Sequence, residues 1–285
     1  MKRIVHSLGL VLLISTLTGC VMSSGSRSQK ATPSAPTPPP AAVPVVPQMS
    51  APPVTHPSAA SVTRANPAII PVPRIAGATN RQSQVLQRAK ENPGACDIAF
   101  IGDSITQGWE GNGRNVWKAY YGNRKCLNFG VGGDRTEHVL WRFENGQLDG
   151  LKPKAAVLMI GTNNSNKNKD GTEQYSEGEI LEGVLAIVKQ LRVRLPETKV
   201  LVLGVFPRAK TFTTQRGRIL QINQALAKVS DGQMIHYIDF GSRLVEADGS
   251  LSKEIMPDAL HLSEKGYEIW AQAIEPKLKE LLSEK

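Results

Sequence analysis

Cysteine is scarce in this chain: Cys20, Cys96 and Cys126 are the only three in 285 residues. That excludes a small disulfide-dense scaffold, and no C-x-x-C or H-E-x-x-H spacing is present to hold a zinc ion. No metal and no cofactor is therefore expected. A dinucleotide fingerprint is missing too, because G-x-G-x-x-G fails at Arg135 in Gly130-Val131-Gly132-Gly133-Asp134-Arg135. Acidic residues are absent from positions 1–78, which carry Lys2, Arg3, Arg27, Lys30, Arg64 and Arg74. Those six cations leave only +3 of the net charge of +9 for the rest of the chain. The basic character belongs to the N-terminal segment, and a nucleic-acid-binding domain is not expected.

Long hydrophobic runs are also missing. Ile4 to Leu17 is the longest, interrupted by His6, Ser7, Ser15 and Thr16. It is shorter than the ~20 residues that span a bilayer, and it follows Lys2-Arg3 as a secretory signal does. The run ends Leu17-Thr18-Gly19-Cys20, which resembles the lipobox of bacterial lipoproteins. That resemblance implies a signal peptide over 1–19, cleavage before Cys20 and acylation of its thiol. The protein is then expected to be exported and held in the cell envelope through its lipid. Val21 after the cysteine leans toward the outer membrane. Thirteen of the 19 prolines fall before residue 74, among Ala, Ser, Thr and Val. Such a composition cannot bury a core, so 20–78 is expected to be a disordered, lipid-anchored tether.

Residues 79–285 read differently. Short, almost continuously apolar runs at Ile98–Ile101, Leu127–Phe129, Ala155–Ile160, Val200–Val205 and Met234–Ile238 alternate with helical patterns. The helices are expected at Asn80–Asn92, Glu137–Glu144, Ser176–Arg194, Gln215–Val229 and Ser263 to about Leu282. Apolar strands between amphipathic helices require a parallel sheet covered on both faces. The expected fold is an α/β three-layer sandwich with a five-stranded parallel sheet, and function in such a fold collects at the C-terminal strand ends.

The strand ends carry chemistry. The first runs into Gly102-Asp103-Ser104, where a serine on a strand-to-helix turn is either a helix cap or an exposed nucleophile. The second runs into Gly132-Gly133, whose tight turn lets backbone N–H groups face a ligand. The third runs into Gly161-Thr162-Asn163-Asn164, a source of carboxamide donors. Near the C-terminus Asp258 and His261 are three apart on a turn, where the carboxylate can hold one ring nitrogen. Of the other histidines, His6 and His56 lie in the signal and tether, and His138 and His236 read as structural. Ser104 as nucleophile, His261 as base and Asp258 as its orienting acid, with oxyanion donors from the Ser104 and Gly133 N–H groups and the Asn163 side chain, make a set for acyl transfer.

These four blocks, in this order, resemble the GDSL/SGNH hydrolase family, whose serine, glycine, asparagine and histidine map onto Ser104, Gly133, Asn163 and His261. The flavodoxin-like fold of that family covers roughly residues 97–283. The run Leu127 to Gly146, the Lys152-Pro153-Lys154 turn and Leu203 to Arg208 look like the catalytic subunits of platelet-activating-factor acetylhydrolase Ib. Gly102 to Gly108 and the stretch Leu260 to Tyr267 look like bacterial carbohydrate acetylesterases. The resemblance implies a metal-independent ester hydrolase with a small acyl-ester substrate, acetyl above all, and a possible dimer. Inferred location favours an O-acetylated envelope or extracellular carbohydrate. A phospholipid-type ester, acyl transfer to a sugar, and a catalytically idle binding lipoprotein are the alternatives. Trp109, Arg135 and Arg208 follow the rim motifs as pocket-lining or packing residues.

Cys96 and Cys126 each sit just ahead of a strand leading to the rim. If those strands are neighbours the two fall nearly level, and export permits oxidation, so a Cys96–Cys126 disulfide is expected, against two buried free thiols.

Overall fold

The computed structural model describes residues 64–74, 79–94 and 96–284. The signal peptide, Cys20 and the tether up to residue 63 lie outside the described residues. Five parallel strands, β1 (Ile98–Gly102), β2 (Cys126–Gly130), β3 (Ala155–Met159), β4 (Lys199–Leu203) and β5 (Ile235–Ile238), form one sheet in the order β2-β1-β3-β4-β5. Helices α1 (Thr79–Glu91), α2 (Ser104–Gln107), α3 (Arg114–Tyr121), α4 (Thr136–Glu144), α5 (Glu177–Arg194), α6 (Thr214–Leu226) and α7 (Glu264–Leu282) alternate with the strands. The expected strands and long helices are present with shifts of a residue or two at most ends. Of the two helices after β1, only the start of α2 at Ser104 was expected, without a range, and α3 had no sequence expectation. Both are short, and α2 is a single turn whose apolar positions are too few to show a period.

Strand pleating divides the core into two clusters. Ala99, Ile101, Phe129, Ala156, Leu158, Val200 and Val202 face α1, α4, α5 and α6. Ile98, Phe100, Ala155, Val157, Met159, Leu201 and Leu203 face α3 and α7. Helix starts are specified locally. Ser176 and Glu179 form a reciprocal capping box at α5, Thr213 caps α6 and Ser263 caps α7. The chain leaves β1 for β2 on one side and crosses to β3 on the other, so the crevice for a ligand opens above the C-terminal ends of β1 and β3.

Two expectations are corrected. Cys96 and Cys126 are free thiols. Register pairs Cys126 with Ile98, two residues beyond Cys96. Cys96 lies in the cluster on the α1 and α4 face and Cys126 packs against the opposite one, so their side chains stand on different sides of the sheet. Burial pushes both thiols up to about 12, which leaves them protonated and inert. The second correction concerns the tether, expected to run to residue 78. Its last described part, Arg64–Arg74, docks on the domain, with a turn at Pro67–Ile69 capped by Asn66 and with Ala68 fully buried. Proline-rich composition concealed this, because one buried alanine and a few backbone hydrogen bonds leave no hydrophobic period to read.

Candidate active site

The turn after β1 is shaped by what it cannot accommodate. A methyl group on Gly102 would lie 2.2 Å from the Met159 carbonyl and the Thr106 hydroxyl, so only glycine lets β1 turn here against β3. Asp103 follows as the N-cap of α2, its Oδ1 accepting from the Ile105 N–H at 2.9 Å. Ser104 thus opens α2, where N–H groups have no intrahelical partner. Asp103 is fully buried, and burial pushes its carboxyl up to about 7 against the Ile105 hydrogen bond, with the neighbouring Asp134 carboxylate adding to the rise.

Asp258 and His261 come from the loop before α7. Ser104 Oγ lies 2.9 Å from His261 Nε2, and His261 Nδ1 lies 2.6 Å from Asp258 Oδ2. The other carboxylate oxygen accepts from the Leu260 and His261 N–H groups at 3.1 and 2.7 Å. Burial is the largest single influence and raises the Asp258 carboxyl, but these bonds and the His261 ring together prevail and hold it below the usual carboxylate range, so it is ionised. The loop carries Ala259 in the left-handed region, at φ 58°. Its carbonyl accepts from the N–H of Ala209, which is left-handed as well at φ 68°. Each such alanine costs about 1–2 kcal/mol, and the two strained residues brace each other beneath the histidine.

The turn after β2 completes the rim. Gly133 has φ 72°, and the Gly132 N–H is held by Gln107 Oε1 at 2.8 Å. Asn128 staples the end of β2 to α2, donating to the Thr106 carbonyl at 3.0 Å and accepting from the Gly130 N–H at 2.8 Å. The Asn163 carboxamide donates to the Asp134 carbonyl at 2.9 Å, which ties the β3 turn to the β2 turn. The five residues singled out from the sequence, Ser104, Gly133, Asn163, Asp258 and His261, therefore converge at one end of the sheet. Under Gly133 lies a charged underpinning that sequence reasoning missed. Asp134 pairs with Arg142, both fully buried, and Arg142 also donates to Gln147 Oε1 at 2.6 Å. Glu137 accepts from Tyr175 Oη at 2.6 Å, Arg135 Nε at 2.5 Å and Asn164 Nδ2 at 3.1 Å. The one available signal was the density of polar residues from Asp134 to Arg142 in a helix with no exposed face.

Histidines and rim residues sort accordingly. His138 Nδ1 accepts from the Arg135 N–H, and burial lowers its pKa to about 4, so it is a neutral structural residue. His236 is buried and bonds to the Gln233 carbonyl. Trp109 is core, packed against Phe100, Tyr267 and Trp270. Arg135 serves Glu137, whereas Arg208 donates to Thr162 and Asn166 beside the β3 turn.

With this geometry in place, comparison with known proteins decides the family. The model for the GDSL-like lipase/acylhydrolase family matches residues 100–269, which spans the serine turn through the histidine loop. The chain belongs to that family. It is a GDSL-type acylhydrolase, a carboxylic ester hydrolase. Among relatives, human platelet-activating factor acetylhydrolase IB subunit alpha1 is 34% identical over 189 residues, covering 66% of this chain and 78% of that one. The rat alpha2 subunit is 35% identical over 190 residues with the same coverage. Two solved structures share the fold of this GDSL hydrolase. A GDSL-like lipase from Bacteroides thetaiotaomicron has a TM-score of 0.55 at 19% identity, covering 70% of this chain and 98% of that one. An acetyl xylan esterase has a TM-score of 0.53 at 21% identity, covering 63% and 98%.

Proposed function

We propose that this hydrolase is a serine esterase that removes short acyl groups, acetyl above all, from an O-acetylated carbohydrate outside the cytoplasm, to which a lipid on Cys20 and the Pro-rich segment would deliver it. One observation carries the catalytic part: the unbroken chain from Ser104 Oγ through the His261 ring to Asp258 at 2.9 and 2.6 Å. In this reading His261 Nε2 takes the Ser104 proton as Oγ attacks the ester carbonyl carbon. Asp258, already ionised, holds the Nδ1 proton and stabilises the imidazolium. The carbonyl oxygen, now an anion, takes hydrogen bonds from the Ser104 and Gly133 N–H groups and the Asn163 amide. Each such donor is worth ~2.7–4 kcal/mol of transition-state stabilisation. His261 returns the proton to the departing alcohol, and water then repeats the sequence on the acyl-enzyme.

The acyl half is supported by what the relatives' names share. One acts as an acetylhydrolase on platelet-activating factor and another as an esterase on acetyl xylan. Acetyl is common to both, and the alcohol differs. An apolar cavity of about 450 Å³ lined by Val205, Phe212, Ile219, Leu220 and Val245 contains none of Ser104, Gly133, Asn163 or His261, so it offers no acyl slot at the serine. The N-terminal signal and Cys20 favour a carbohydrate of the envelope or its surroundings. The identity to the acetylhydrolase subunits favours a phospholipid-type acetyl ester as the second reading.

Hydrolysis of p-nitrophenyl esters from acetyl to dodecanoyl, with Ser104→Ala as control, tests the chemistry. Rates falling steeply beyond acetyl and lost in the variant are expected. Acetate release from acetylated xylan against release from an acetylated ether phospholipid then separates the two alcohols, and a preference for the lipid would replace the carbohydrate reading.

A further inference from the structure

The segment Arg64–Arg74 precedes the region that the family model matches, yet it ends at the turn that carries Gly133. Its anchors are spread along the domain. Asn66 caps the turn through Oδ1 and donates through Nδ2 to the Glu179 carbonyl at 3.1 Å and to Glu182 Oε2 at 2.9 Å. Ala68 is fully buried, and its carbonyl accepts from the Thr136 hydroxyl at 2.8 Å. The Val72 N–H reaches the Glu137 carbonyl at 3.3 Å, and the Arg74 N–H reaches Gln82 Oε1 at 3.2 Å. The strap therefore follows the start of α4 and delivers one side chain beyond it.

That side chain is Arg74. Its guanidinium Nη2 donates to the Gly132 carbonyl at 3.4 Å, and a methyl group built on Gly133 would sit 2.2 Å from the same nitrogen. Arg74 Nε is buried without a partner among the described residues. A cation with an unspent donor thus covers the left-handed glycine, while Gln107 holds the Gly132 N–H. The turn is clamped between two side chains, one from α2 and one from the strap.

We infer that the strap is part of the active site and that Arg74 is a positioning residue, holding the Gly132–Gly133 turn in the shape that presents the Gly133 N–H and placing a fixed positive charge beside the developing oxyanion. The inference rests on the reading of Gly133 as an oxyanion donor. A loosened turn leaves substrate binding in place and weakens the transition state, because the donor matters only once the carbonyl oxygen carries charge. The strap's anchors at Asn66, Ala68, Val72 and the Arg74 backbone N–H do not use the guanidinium, so removing it leaves the docking intact.

The test uses the full chain and p-nitrophenyl acetate. Arg74→Met is expected to lower kcat roughly tenfold, the scale of a small misplacement at a reacting centre, with KM and Tm little changed. Arg74→Lys, which keeps the charge without the planar fork, is expected to recover part of that loss. Asn66→Asp undocks the strap by setting a carboxylate against Glu182, and it should reproduce the fall in kcat. The double variant should be no slower than Arg74→Met alone, because both changes remove one effect. Wild-type kcat in folded Arg74→Met, or losses that multiply in the double variant, would overturn the inference. Activity surviving in Ser104→Ala would instead overturn the serine reading beneath it.

Discussion

The two faces of the sheet support the two halves of the rim by different means. On the α3 and α7 face an aromatic cluster of Phe100, Trp109, Tyr121, Tyr267 and Trp270 lies behind the serine turn, with ring centroids 4.6 to 6.2 Å apart in their closest pairs. Tyr267 reaches through it to donate to the Ile105 carbonyl at 2.6 Å. On the α4 and α5 face the Gly133 turn stands on buried charge: Asp134 with Arg142, and Glu137 with Tyr175, Arg135 and Asn164. Apolar packing resists change gradually, since aromatic contacts are numerous and weakly directional. A buried ion pair resists all or nothing, because each partner is costly without the other. The Ser104 turn thus rests on a cushion and the Gly133 turn on a lock.

The largest expected effect falls where both halves meet. Ser104→Ala and His261→Ala should each lower kcat on p-nitrophenyl acetate by at least about a thousandfold, with Tm unchanged, since in the proposed mechanism they act as a unit. Next comes the lock. Arg142→Met strands the Asp134 carboxylate and should cost about 3–5 kcal/mol of stability, measured by urea denaturation. Adding Asp134→Asn should restore a large part of that cost by removing the stranded charge, a coupling that a purely apolar site would not show. Failure of the second change to restore anything would mean that packing, and not charge, supports this half.

Asp103 gives a third test, with a sign fixed by linkage. Its carboxyl is raised to about 7 in the folded protein from an unfolded value of about 4. Between those values the folded state holds the extra proton, so this group's contribution to stability is full below pH ~4 and is lost as pH rises to ~7. Asp103→Asn keeps the acceptor for the Ile105 N–H and cannot ionise. Its Tm advantage over wild type should grow from pH 4 to 7 and then level off; a difference independent of pH would refute the buried-carboxyl account. The smallest effect is expected on the aromatic side. Tyr267→Phe removes one hydrogen bond and leaves the ring, costing about 1 kcal/mol with kcat changed less than roughly threefold.

Legibility follows a different division. The strands and the long helices of both faces could be read from the sequence, because apolar runs and helical periods record burial directly, whereas the short α3 could not. The five residues assigned to the rim were legible for another reason: each lies within a few residues of a strand end, in a glycine-bearing turn or beside an acid. Arg142 and Glu137 were not, because a buried charge looks like a surface charge until its partner is located. Arg74 was hidden further still, inside a segment whose proline content reads as tether.

The sequence by itself determined the strand and helix order, the parallel sheet, and the residue types of an ester-hydrolysing rim, because those depend on local pattern and on turns that only glycine can make. It also carried the likeness that places the chain among GDSL hydrolases. Tertiary structure alone decided that Cys96 and Cys126 pack on opposite sides of the sheet, since Cys96 precedes β1 and strand alternation does not fix its side. It alone decided which charges are buried together and that the strap from Arg64 to Arg74 ends on Gly132 and Gly133. The strap contacts and those of Glu137 with Tyr175 and Asn164 join residues tens of positions apart, and even the Asp134–Arg142 pair, eight apart, follows no apolar period that would mark it as buried.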